Sequence, residues 1–189
     1  MKLTATGQQT VGPYFHMGLC RMLIPVVAGN MVEGTRVTIE GRILDADSKP
    51  IPDALIETWQ ANAFGKYAHP EDTQEKPLQE DFVGFGRVAT DDAGFFSLST
   101  IEPGRVPGPA GVTQAPHLVV SIFMRGLLRP LLTRMYFPHE PCNTEDPVLN
   151  SVDPARRATL IANSISGKEG VLEWTVICAG ENETVFFDF

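Results

Sequence analysis

The sequence predicts a mainly β protein, an antiparallel β-sandwich with long loops and one short helix. Apolar and polar residues alternate along short runs, the period of a strand with one face buried and one face wet. Each run is bounded by Gly, Pro, Asp or Asn, and the 17 Gly and 15 Pro of the chain supply turns in quantity. From Val37 to Leu44, Val37, Ile39 and Ile43 alternate with Thr38, Glu40 and Arg42, and Asp45 to Pro50 then carries turn chemistry. Ala54 to Gln60, Gly84 to Thr90 and Phe95 to Ile101 follow as successive short strands. His117 to Phe123, Leu132 to Phe137, Leu172 to Cys178 and Thr184 to Phe187 continue the series. One segment reads differently. Asp153 to Asn163 offers a capping Asp, Pro at the first helical position and strong helix formers, which predicts the single helix. The loops Asn62 to Asp81 and Pro103 to Pro116 are too long for hairpin turns and are candidates for site or interface loops.

At 189 residues the chain has the size of one domain, read here as 1–189, with residues 1–36 as an N-terminal arm. Hydrophobic residues at 43% and charged residues at 20% exclude disorder and fibrous architectures. Cys20, Cys142 and Cys178 are odd in number and far apart, which fits reduced thiols rather than a disulfide framework or a zinc knuckle. A net charge of -8 disfavours nucleic acid, which needs a basic face. An anionic small molecule would need a local cation shielded from that background. No apolar stretch has the length of a signal peptide or a membrane span, so a soluble, cytoplasmic protein is expected.

The chemistry begins at His117. Alternate residues of a strand share a side, so a His-x-His pair on this run would aim two imidazoles at one ion. Val119 takes the second place, and an isopropyl group has no lone pair. The strand therefore carries half of a metal site. His16, His69 and His139 are scattered and complete no metal motif. Trp59 and Trp174 read as core residues.

Several phrases, taken in order, carry a resemblance: Thr10-Val-Gly-Pro-Tyr14, Glu40-Gly-Arg-Ile-Leu-Asp45, Glu57-Thr-Trp-Gln-Ala-Asn62 with Gly65-Lys-Tyr67, Thr90-Asp-Asp-Ala-Gly-Phe95, and Ile101-Glu-Pro-Gly104. Together they resemble the intradiol ring-cleaving dioxygenases over most of the chain. Catalytic chains of that family hold Fe(III) with two tyrosines and two histidines, hard phenolates and imidazoles that leave a position open for a catecholate. The resemblance places Tyr67 at the first tyrosine and His117 at the first histidine. It also implies that the other two ligands are missing: Val119 replaces the second histidine, and no tyrosine lies between Tyr67 and Tyr136.

What the resemblance implies is a chain that holds no catalytic iron and contributes no catalytic residue, paired in a hetero-oligomer with a beta chain that carries Fe(III). This chain would then help wall in the substrate, protocatechuate, for cleavage by O2. The family's pocket on this side maps onto Thr10, Gly12, Pro13 and Tyr14, and onto Arg134. A guanidinium there supplies the cation that a substrate carboxylate requires. By periodicity alone Arg134 is an ordinary solvated strand residue, and Thr10 to Tyr14 a turn near a chain end. Two other functions stay open: the same role toward a sulfonated catechol, and a noncatalytic β-sandwich binding module.

Overall fold

A computed structural model describes residues 6–108 and 111–188. Two four-stranded sheets face each other across an apolar core. In chain order the strands are β1 (Arg36–Leu44), β2 (Leu55–Trp59), β3 (Phe85–Ala89), β4 (Phe95–Ile101), β5 (Val106–Pro107), β6 (Thr113–Gln114), β7 (His117–Phe123), β8 (Leu131–Tyr136), β9 (Asn163–Ser164) and β10 (Val171–Ile177). One sheet has the order β4-β1-β10-β9, the other β3-β2-β7-β8, and β5 and β6 form a small ribbon within the 103–116 loop. The expected sandwich is present. One pair departs from the antiparallel rule, because β1 and β10 run parallel.

Alternation decides which face each strand buries. Ile39 and Ile43 of β1, Leu98 of β4 and Val176 of β10 meet Ile56, Leu118, Val120 and Ile122 of the opposite sheet, all at most 2% exposed. Burying each such side chain is worth roughly 1.5–3 kcal/mol. Gly41 sits in this face where a side chain has no room. A Cβ there would lie 2.4 Å from the Trp174 carbonyl oxygen and 2.5 Å from the Phe96 ring.

The second half of the expected arm belongs to the body. Ile24 bridges to Arg87 and Ala28 to Phe82, while the Val27 amide donates to the Ser99 carbonyl at 2.9 Å. Val27 and Ala28 are fully buried. This segment straps β3 at the edge of one sheet to β4 at the edge of the other and covers one edge of each sheet.

The helical content is short, as expected, but lies elsewhere. Residues 153–163 form turns and a 3-10 segment, Arg157–Leu160, rather than an α-helix. Tertiary bonds take over the groups a helix would use: the Trp174 indole donates to the Thr159 carbonyl at 3.1 Å, and the Ala162 amide donates to the Tyr136 carbonyl at 3.0 Å. The α-helices among the described residues are α1 (Pro13–Leu19) and α2 (Pro147–Ser151). Asp146 starts α2 by accepting the Val148 and Leu149 amides on its carboxylate. Thr184 to Phe187, expected as a strand, is not one. Its backbone splits its bonds between sheets, with Thr184 donating to Ile177 of β10 and Phe187 to Leu132 of β8, so no continuous ladder forms.

Candidate functional site

The outer face of the β3-β2-β7-β8 sheet carries the predicted donor positions. Trp59 of β2 pairs with Val119 of β7, and Val119 pairs with Arg134 of β8, so the three stand on one rung. His117 is the next same-side residue of β7 and pairs with Tyr136, their rings 5.8 Å apart. The long loop 62–81 lays Tyr67 over this wall, stacked on Trp59 at 6.0 Å with the planes 3° apart. Local carboxamide and carboxylate bonds shape that loop. The Asn62 side chain accepts the Phe64 and Lys66 amides, and Asp72 accepts the Tyr67 amide at 2.8 Å. Gly65, at φ +76, has a positive φ that disfavours a side chain, and a Cβ there would lie 2.0 Å from the Arg105 carbonyl oxygen. A cavity of about 560 Å³ opens beside Tyr67, lined in part by Trp59, His69, Asp72 and Pro107.

Burial dominates the electrostatics at the wall, and the Arg134 cation adds to them. His117 is 4% exposed and its Nδ1 lies 2.7 Å from the Ala115 carbonyl oxygen. A carbonyl only accepts, so Nδ1 carries the proton and Nε2 the lone pair. Burial holds the His117 pKa down at about 4, helped by the nearby Arg134 guanidinium and opposed by the Ala115 bond and by Asp146. Burial raises the Tyr67 pKa, with Arg134 pulling against it and Asp72 adding to it. Tyr136 is pushed up in the same way. Arg134 itself donates from Nη1 to Gln114 Oε1 at 2.6 Å and to the Tyr136 hydroxyl at 3.5 Å. The Tyr136 hydroxyl donates to Asp146 Oδ1 at 2.9 Å, and the other Asp146 oxygen accepts the Ala115 amide at 2.8 Å. Asp146 is fully buried and satisfied by these donors together with the amides of α2.

A ferric ion does not fit this donor set. Of the four ligand positions that the resemblance implies, only Tyr67 and His117 hold donors, Val119 presents methyl groups, and the Arg134 guanidinium stands beside them. Hard trivalent iron needs anionic oxygen, and here a cation lies on the next strand. Among the described residues no group of three His, Cys, Asp or Glu converges.

The N-terminal segment lies at the other end of the sheet. Thr10 Oγ1 accepts the Gly126 amide at 2.7 Å, Gln8 accepts from Arg129 Nε at 2.8 Å, and the Phe15 ring packs 5.5 Å from Phe123. Gly12 is the extended residue before α1, and Pro13 and Tyr14 are its first residues; the side chains of Pro13 and Tyr14 lie outside those described. The rung of Arg134 is three residues from the last β7–β8 rung, about 10 Å at strand rise, and Gly126 lies beyond that rung. Within the chain, therefore, the structure gathers Tyr67, His117, Val119 and Arg134 but does not bring Arg134 to Thr10 and Gly12. The cations beside the segment are Arg125 and Arg129, which sequence reasoning passed over. Their signal is an Arg-Gly-Leu-Leu-Arg turn between two strands. Gln114, Tyr136 and Asp146 were also passed over, although Asp146-Pro147 is a helix-start signature.

The β-sandwich is one shared with solved dioxygenases. The chain belongs to the dioxygenase family, whose profile matches residues 19–178. It is 37% identical over 200 residues to the protocatechuate 3,4-dioxygenase alpha chain of Burkholderia cepacia, covering 98% of each. It is also 37% identical over 131 residues to the beta chain of that enzyme from the same organism, covering 68% of this chain and 56% of the other. Among solved structures, the dioxygenase domain of a dioxygenase and carbohydrate-binding fusion from Streptomyces sp. SirexAA-E superposes with TM-score 0.62 at 27% identity, covering 82% of this chain and 87% of that one. The family is one of non-heme iron enzymes.

Proposed function

We propose that this chain is the alpha subunit of a protocatechuate 3,4-dioxygenase, assembled in the cytoplasm with a beta chain that holds the Fe(III). The composite site would use O2 to open protocatechuate between its two hydroxyls, giving 3-carboxy-cis,cis-muconate. The observation that carries this reading is the incomplete donor set on an otherwise intact family wall, in a chain similar over its whole length to an alpha chain. Residues 1–36 serve as the arm toward the partner, in particular the part before Ile24, which touches the body mainly at the β7–β8 turn and its flanks.

Thr10, Gly12, Pro13 and Tyr14 would line the partner's pocket, with Gly12 and Pro13 letting backbone approach a flat ring closely. Their contribution is orientation and a fixed charge, which lower a barrier without making bonds. Arg134 is the cation that the resemblance assigns to the substrate carboxylate. The Thr10–Gly126 bond favours a second candidate, Arg125, which stands next to the arm and, among the described residues, pairs with exposed Asp53 at 3.2 Å. In the co-expressed hetero-oligomer, Arg125→Ala and Arg134→Ala are each compared on protocatechuate and on unsubstituted catechol. The arginine facing the carboxylate should lose about 30-fold or more in kcat/KM on protocatechuate, the worth of one charged hydrogen bond of a few kcal/mol, while catechol turnover changes little. Equal losses on both substrates for both variants would remove the carboxylate role from this chain. Competition by a sulfonated catechol distinguishes the other anionic substrate, and a colourless monomer that binds ligand without a partner would favour the binding module.

A further inference from the structure

Restoring one of the two missing positions could by itself admit a metal, because three protein donors and one open position suffice for many bound metals. What singles this pocket out is the residue across from Val119. Arg134 is the rung partner of Val119, its Nη1 is held by Gln114 Oε1 at 2.6 Å and lies 3.5 Å from the Tyr136 hydroxyl, and the Tyr136 ring packs against His117. Gln114 is itself buried, and Tyr136 is anchored to the fully buried Asp146, so the guanidinium is fixed rather than free to swing into solvent. Tyr67 and His117, the two remaining donors, both feel its charge.

We infer that Arg134 is an electrostatic lock: a resident cation, braced by Gln114 and Tyr136, that occupies the charge position between Tyr67 and His117 and makes the pocket reject metal cations even when its donors are restored. The inference rests on the Tyr67–His117 wall but not on the identity of the partner or the substrate. A unit charge repels a divalent ion over several ångströms strongly enough, at the dielectric of a half-buried site, to suppress binding by orders of magnitude.

The test uses the full chain and Co(II) as the probe, read by titration calorimetry and by visible absorption of the bound ion. Val119→His supplies a third donor on the same side of β7 as His117. Expected is no measurable site in Val119→His alone, and a stoichiometric site at least about 100-fold tighter in Val119→His with Arg134→Met, which keeps length and removes charge. Val119→His with Arg134→Gln, which keeps a partner for Gln114, should behave like the Met variant and guards against misfolding of either one. Thermal unfolding reports that each variant is folded. Cobalt bound equally well by Val119→His with Arg134 intact would overturn the inference, since the missing imidazole alone would then have kept metal out. Folded double variants that still bind none would overturn it as well. Failure of the protocatechuate assays above leaves both outcomes unaffected, so the two readings fail separately.

Discussion

His117 brings a titratable ring into a place where charging it is costly. Its folded pKa is held near 4 while an unfolded histidine titrates near 6.5, so between those values the unfolded chain binds the extra proton. The contribution of the neutral ring is fully present above about pH 6.5 and is lost as pH falls toward 4, at most about 3 kcal/mol. Urea unfolding at pH 7.5 and pH 4.5 should show this difference shrink by most of its value in His117→Gln. Parallel pH dependence in the two proteins would mean the ring protonates freely in the fold. Asp146 is the second residue on which the site leans. Asp146→Ala would strip partners from the Tyr136 hydroxyl and from three backbone amides at once. It should cost roughly 2–4 kcal/mol in denaturant unfolding, and a loss below about 0.5 kcal/mol would show that water replaces the carboxylate.

At the scale of elements, what could be read from sequence and what could not divide along local and tertiary lines. β7 was expected at His117 to Phe123 and is found there, because its alternation and the preceding Pro116 are local signals. The 153–163 helix had local signals of equal quality and yields to Trp174 and Tyr136, neither of which is near it in sequence. The candidate wall was half legible for the same reason. Tyr67, His117 and Val119 follow from motif order, whereas the bracing of Arg134 by Gln114 and Tyr136 depends on strand register. The grouping of Thr10 with Arg134 follows from motif order alone, while their separation along β8 depends on register. Gly41 gives β1 a sharp test of register. Gly41→Ala drives a methyl into the Trp174 carbonyl and the Phe96 ring, so it should destabilise by about 2 kcal/mol or more and lower the thermal midpoint by several degrees. An unchanged midpoint would mean that β1 and β10 sit farther apart than the parallel register places them.

On the scale of the whole molecule, the chain is a sandwich with one end of a sheet face given to the Tyr67 wall and the other to the N-terminal segment. Deleting residues 1–16 removes Thr10, Gly12 and Phe15 but leaves the Ile24 to Ala28 strap, whose bonds to Arg87, Ser99 and Phe82 hold both edges. The deleted protein should therefore keep its fold by circular dichroism while losing assembly with the partner or the turnover of protocatechuate. A fully active complex without those residues would place the arm outside the function. The parallel pairing of β1 with β10 has a further consequence, for synthesis. β1 is complete by residue 44, yet one of its two neighbours is made only at residues 171–177. A nascent chain on the ribosome must therefore carry an apolar strand with one flank open until residues 171–177 have been made. Chaperone capture or prompt pairing once β10 is made, rather than stepwise growth from the N-terminal side, becomes the natural route to a soluble product.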